Sequence, residues 1–183
     1  MNFIETPIKD LLVIEPKVWK DERGYFFESF NQKTFAQAGI NLEFVQDNQS
    51  FSQKGTLRGL HAQANPFAQG KLVRVIQGKV LDVAVDIRKN SPTYGQYHAI
   101  ELSADNFKMF WVPPGFLHGF VTLEDQTIFA YKVTGFYDKD SEIGVMWNDP
   151  DLNIDWKIKP EEAILSEKDQ QLQNFRDLKA FFD

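Results

Sequence analysis

The 183-residue chain contains no cysteine. That absence removes disulfide staples, thiolate zinc sites, iron–sulfur clusters and a cysteine nucleophile together. Long apolar runs are missing as well; no stretch approaches the roughly 18 residues that span a bilayer. The start, Met-Asn-Phe-Ile-Glu-Thr-Pro, has no cationic segment followed by an apolar run, so no secretory signal is read there and a cytoplasmic location is expected. Positive charge is in short supply: 20 Lys and Arg stand against 26 Asp and Glu, a net charge of −6. A broad nucleic-acid-binding face, which needs a basic surface, is therefore not expected. Neither a Gly-rich phosphate loop nor a Gly-x-Ser-x-Gly nucleophile elbow is present.

What is present is the composition of a globular chain, 43 % hydrophobic and 14 % aromatic, with 17 phenylalanines. One domain over 1–183 is expected, long enough to bury a real core. Leu11–Ile14 is a short apolar run. Asp21–Gly24 reads as a turn before an aromatic strand, Tyr25–Phe30. Asn31 to Gly39 reads as a small helix with an Asn cap and a Gly stop, and extended structure resumes at Leu42–Val45 before the polar run Gln46–Ser50. Gln77-Gly78-Lys79 is a hairpin candidate. Val80–Ile87 alternates, with Leu81, Val83, Val85 and Ile87 on one face and Asp82, Ala84 and Asp86 on the other. Further strands are expected near Tyr94–Leu102, Phe107–Val112, Phe120–Leu123 and Thr127–Val133, and a C-terminal helical segment over Ser166–Phe182. Short strands at this spacing predict a mainly β, antiparallel sandwich or barrel.

The stretch from Thr56 to Gly78 carries the densest chemistry: Arg58, His61, Lys71 and Arg74 on two β-type segments flanking a loop. An imidazole among cations in an acidic chain suggests an anionic ligand beside a proton-transfer group; solvated basic residues at strand ends are the structural alternative. Of the other histidines, His98 is read as structural. His118 sits among prolines and glycines that suggest a rigid turn, either delivering the ring to a site or tied down by it. A first-row metal site usually wants three protein ligands. Gln63 is a weak ligand and no Asp or Glu lies between it and Asp82, so no metal is expected. Acid–base chemistry by His61 remains, with a carboxylate, a lysine and a tyrosine in support.

Arg58-Gly59-Leu60-His61, Gln69-Gly70-Lys71-Leu72-Val73-Arg74 and Pro113-Pro114-Gly115-Phe116-Leu117-His118-Gly119-Phe120, together with Val83–Arg88, Ser91–Gly95 and Leu165–Asp169, resemble the dTDP-4-dehydrorhamnose 3,5-epimerase family, from about Ile8 to Asp169. The resemblance implies a cupin-type jelly-roll barrel with short N- and C-terminal helical segments, a homodimer that exchanges N-terminal strands, and no metal or organic cofactor. It implies a dTDP-4-keto-6-deoxy sugar as substrate, inverted at carbons 3 and 5 through an enolate. His61 would be the base, Asp169 its orienting carboxylate, Lys71 the cation at the enolate oxygen and Tyr131 the opposing acid. From local pattern alone, Ser166-x-x-Asp169 reads as a capping box, Lys71 as a solvated lysine and Tyr131 as a strand aromatic.

For the nucleotide, the resemblance implies contacts from Arg23, Phe26 and Glu28 reaching a neighbouring subunit. Gln46, Asn48, His118 and Lys168 would add substrate contacts, Arg58 would contact the diphosphate, and Tyr137 would stack on thymine. Family members usually carry an aromatic residue where this chain has Ala62, which predicts a larger pocket or a changed presentation of the ring carbons. A monoepimerase or ketoisomerase on a related sugar, a non-catalytic nucleotide-sugar-binding cupin and a metal-dependent oxygenase are the alternatives.

Overall fold

Alternation along Val80–Ile87 would leave a polar face in a one-sided sheet, yet in the computed structural model, which describes residues 1–183, this strand is buried on both faces. Leu81, Val83 and Val85 enter one core cluster, and Val80 and Ala84 enter another. A strand covered on both sides belongs in a layered fold, and the surrounding elements form one. In chain order the strands are β1 (Asn2–Glu5), β2 (Leu12–Glu15), β3 (Trp19–Asp21), β4 (Gly24–Phe26), β5 (Gln46–Ser52), β6 (Leu57–Gln63), β7 (Lys71–Gln77), β8 (Lys79–Asp86), β9 (Tyr97–Ser103), β10 (Met109–Val112), β11 (Phe116–Thr122), β12 (Thr127–Val133) and β13 (Glu142–Gly144), with one helix, α1 (Gln32–Gln37). A six-stranded sheet, β1-β2-β10-β7-β12-β5, faces a five-stranded sheet, β13-β6-β11-β8-β9, while β3 and β4 form a separate ribbon. The two faced sheets make the jelly-roll barrel.

Three apolar layers hold it. Between the sheets lie Val73, Phe110, Phe116, Phe120 and Phe129. Outside the five-stranded sheet, Trp147, Leu152, Trp156 and Phe182 of the C-terminal chain cover Leu60, Leu117 and Val121. Outside the six-stranded sheet, Phe35 of α1 and Ile40 cover Leu72, Met109 and Trp111. The helix follows its capping signals: the Asn31 side chain accepts from the backbone N–H groups of Lys33 and Thr34, and Gly39 leaves the helix at φ +87°.

Several expectations are corrected by where backbone groups find partners. Gln77-Gly78-Lys79 does not close a hairpin: β7 and β8 belong to different sheets, and Gly78 (φ +78°) turns the corner where a Cβ would meet Thr127 Oγ1 at 2.3 Å. The polar run Gln46–Ser50 is itself a strand, in one-to-one register with β12. Leu42–Val45, expected to be extended, lies outside any strand. The aromatic strand ends at Phe26, because the following rings pack rather than pair: Phe27 on Phe107, Phe30 on Phe35 and Phe44. The C-terminal segment is not a continuous helix. It makes 3-10 turns at Asp169–Gln171 and Phe175–Asp177, since its backbone bridges Val145 at Gln173 and Arg88 at Phe182, and Asp149 accepts from the Phe175 N–H. No helix is long and apolar enough to cross a membrane.

Candidate active site

One irregularity in β6 sets the site. Positions three apart in a regular strand face opposite sides. In the pairing with β11, however, Arg58 faces Phe120 and His61 faces His118, so Gly59 and Leu60 of β6 stand against the single Gly119 of β11. This bulge keeps Leu60 in the outer core and turns both Arg58 and His61 toward the cavity. Gly59 is required there: at φ +124° a Cβ would stand 2.6 Å from Gly119 Cα and 2.8 Å from the His118 carbonyl oxygen.

Arg58 and His61 line an interior cavity of about 520 Å³ with Lys71, His118, Phe120, Phe129, Tyr131, Lys168 and Asp169. A neighbouring recess of about 230 Å³ shares His61, Lys71 and Tyr131 and adds Gln46, Asn48, Tyr137 and Glu142. A surface groove of about 610 Å³ beside the end of α1 is larger, but its lining carries neither histidine nor tyrosine.

His61 comes from the five-stranded sheet; Lys71 on β7 and Tyr131 on β12 come from the six-stranded sheet. The base candidate and the acid candidate therefore stand on facing walls of one cavity. His61 Nε2 lies 2.6 Å from Asp169 Oδ1. A carboxylate there holds the ring proton on Nε2 and leaves the Nδ1 lone pair free. Burial acts to raise the Asp169 pKa, but the His61 hydrogen bond and charge, with Ser166 and Lys168, outweigh it and hold the carboxyl below its ordinary value. The capping reading of Asp169 is also met, since its N–H donates to Ser166 Oγ at 3.1 Å. One residue serves both purposes.

Burial pushes the Lys71 ammonium down to about 8, opposed by the Asp82 and Glu142 carboxylates. Burial raises the Tyr131 phenol, opposed by Arg58, so it keeps its proton at neutral pH. His118 is not on a turn. It lies inside β11, buried, with Nε2 2.8 Å from Asp82 Oδ1, and Asp82 Oδ2 has no hydrogen-bond partner.

The expected cation cluster is smaller than the sequence suggests. Arg74, three residues after Lys71 on a regular strand, faces the outer side and lines a different surface cleft with Ser29 and Met109. Arg23, Phe26 and Glu28 do not join the cavity of their own chain: Arg23 is ion-paired to Asp21 at the exposed tip of the β3–β4 ribbon, Phe26 is 68 % exposed, and Glu28 accepts from Asn31. Ala62 packs in the core beneath the C-terminal chain, on the strand face opposite His61, and borders the smaller recess. Its small size therefore does not widen the wall that His61 occupies. Two acidic residues went unassigned in the sequence. Asp82 carried a signal, a carboxylate interrupting an otherwise apolar buried strand. Glu142 carried none, since its neighbours Lys168 and Tyr137 are brought to it by the fold.

The chain matches the family model described as dTDP-4-dehydrorhamnose 3,5-epimerase over residues 5–177. It belongs to this family. A Shigella flexneri dTDP-4-dehydrorhamnose 3,5-epimerase is 53 % identical over 182 residues, covering 99 % of each chain. The crystal structure of the Elizabethkingia anophelis dTDP-4-dehydrorhamnose 3,5-epimerase superposes with a TM-score of 0.93 at 53 % identity, over 97 % of both chains. That of a Legionella pneumophila dTDP-6-deoxy-D-glucose-3,5-epimerase in complex with dTDP-4-keto-L-rhamnose superposes with a TM-score of 0.94 at 49 % identity, over 98 % of this chain and 95 % of the other. The family's membership and the barrel thus agree, and the cavity can be read as one fold's site.

Lys71 is the titration to measure. Followed by the NMR shift of lysine Cε, one lysine should titrate near pH 8, well below the ordinary value of about 10.4, and its signal should vanish in Lys71→Met. Removing the Asp82 charge with Asp82→Asn should lower that midpoint further, because a carboxylate nearby favours the ammonium. Lysines that all titrate near the ordinary value would contradict the burial assigned to Lys71.

Proposed function

We propose that the chain epimerises dTDP-4-dehydro-6-deoxy-D-glucose at carbons 3 and 5, giving dTDP-4-dehydro-L-rhamnose, within the single domain 1–183. The observation that carries this reading is the placement of His61 and Tyr131 on facing sheets around one cavity, with Lys71 beside them. The ketone at carbon 4 acidifies the hydrogens on carbons 3 and 5. Inverting either carbon needs a base on one face of the ring, an acid on the other and a cation for the oxygen that becomes negative between the two transfers.

His61, with Nε2 held by Asp169, takes the ring hydrogen as a proton on Nδ1, and the C–H electron pair moves into the ring to form the enolate. The Lys71 ammonium, charged below about pH 8, stabilises the enolate oxygen in a buried setting where such a charge acts strongly. Tyr131 delivers its proton to the opposite face. The phenolate regains a proton and His61 releases one, so a second round at the other carbon can follow. Protein side chains supply every proton transfer in this scheme. His118, fixed by Asp82, adds a polar wall behind the sugar.

The diphosphate falls to Arg58 and Lys168, the cations on the rim side of the cavity; a guanidinium grips phosphate oxygens in bidentate fashion. Gln46, Asn48 and Tyr137 line the adjoining recess, and the exposed ring of Tyr137 is free to stack on thymine. Arg23, Phe26 and Glu28 serve the site of a second copy in a homodimer. Supporting this, the β3–β4 ribbon leaves Trp19, Tyr25 and Phe26 exposed, an apolar set that a lone chain would leave in water. Sedimentation at the mass of a monomer would contradict the dimer.

Incubation with the sugar nucleotide in heavy water, read by NMR, tests the reaction. Deuterium should enter at carbons 3 and 5, and His61→Ala should slow both by about 10³-fold, within the range of a general base. Label confined to carbon 3 would mark a monoepimerase. Full exchange in His61→Ala would remove His61 as the base.

A further inference from the structure

Glu142 stands at a junction that the reaction scheme leaves unused. It sits on β13 with its side chain largely shielded from solvent, 14 % exposed. Its Oε2 accepts a hydrogen bond from the Tyr137 hydroxyl at 2.7 Å, and its Oε1 accepts one from Lys168 Nζ. Burial acts to raise the Glu142 pKa, yet the Lys168 and Tyr137 hydrogen bonds and the nearby His61 outweigh it and hold the carboxyl below its ordinary value. The group is therefore a carboxylate throughout the neutral range, accepting two hydrogen bonds at once.

The consequence lies one residue along the chain. Lys168 immediately precedes Asp169, the partner of His61. Backbone bridges fasten this C-terminal stretch at Ile164, against Thr56, and at Gln173, against Val145. Between those bridges, the side-chain links back to the sheet are the bond from Lys168 to Glu142 and the bond from Asp169 to His61. The remaining bonds there, such as Ser166 to Asp169 and Gln170, shape the turn internally. β13 pairs with β6 so that Glu142 faces Gln63 and Gly144 faces His61. The strand that bears Glu142 thus lies directly beside the strand that bears the base.

We infer that Glu142 is a positioning residue: through Lys168 it fixes the turn that holds Asp169 against His61, and through Tyr137 it ties that turn to the mouth of the cavity. The inference rests on the epimerase reading for its kinetic consequence but not for its structural one. A hydrogen bond to a charged partner is worth more than a neutral one, so Glu142→Gln keeps the shape and weakens both ties. Lys168→Met cuts the same link from its other end.

The test is made first on the ligand-free protein, with 15N-labelled histidine. The ring signals of His61 should shift or broaden in Glu142→Gln and in Lys168→Met. Those of His98, on β9 with its ring against Phe110 and outside both the cavity and the recess, should stay in place and certify that each variant is folded. With the sugar nucleotide, kcat should fall about 10-fold in Glu142→Gln while KM changes less. The loss should not add to that of Asp169→Asn, because groups acting through one another are non-additive. His61 signals unmoved in both variants would overturn the inference, as would a raised KM with kcat intact, which would make Glu142 a ligand contact alone. Absence of turnover in the unmodified protein would instead count against the epimerase reading, and the ring signals would still decide the role of Glu142.

Discussion

Burial of both faces of the five-stranded sheet is the constraint on which the rest of the molecule depends. Leu81, Val83 and Val85 of β8 need the C-terminal chain over them, while Val80 and Ala84 need the opposing sheet. A polar side chain buried on the inner face, such as Asp82 or His118, then has no water shell and must find a partner. The partners are found pairwise, Asp82 with His118 and Asp169 with His61. Covering the sheet from outside also delivers Asp169, because the chain that supplies Trp147 and Trp156 to the outer core next runs beside the start of β6, where the Leu57 N–H donates to the Ile164 carbonyl. Packing and site assembly are a single event here.

The same logic explains why the two walls differ chemically. Apolar rings fill one part of the interior, with Phe120 stacked on Phe129 at 4.1 Å between centroids. Polar groups on β5, β6, β7 and β12 line the part left open. Within that part, the cations Arg58 and Lys71 and the rim residue Lys168 concentrate positive charge in a chain whose net charge is −6, as an anionic ligand requires.

Much of this was legible in the sequence, for reasons that can be named. Strand existence followed from alternation at Val80–Ile87 and from the spacing of short apolar runs between turn signals elsewhere, and the helix from Asn31 and Gly39. The motifs around His61, Lys71 and His118 announced the family. What stayed hidden depended on contacts distant in sequence. Nothing near Gln77-Gly78-Lys79 distinguishes a hairpin from a corner between sheets, since either needs a glycine at positive φ. Ser166–Phe182 has helix-compatible residues, and only its backbone bridges to Arg88 and Val145 show why it is not one. Arg74 looked like a fourth cation of the site until the regular alternation of β7 turned it outward. The bulge at Gly59 did the reverse, bringing Arg58 to the side of His61.

With the proposed base, His61, and the proposed acid, Tyr131, on opposite walls, exchange and inversion are separable. Tyr131→Phe removes the acid and leaves His61 and Asp169 untouched. In heavy water this variant should still exchange the hydrogens on carbons 3 and 5, because His61 can take a proton and return solvent deuterium to the same face. Inversion should fall far more than exchange, leaving labelled but uninverted sugar. Exchange and inversion falling together in Tyr131→Phe would contradict the two-wall arrangement.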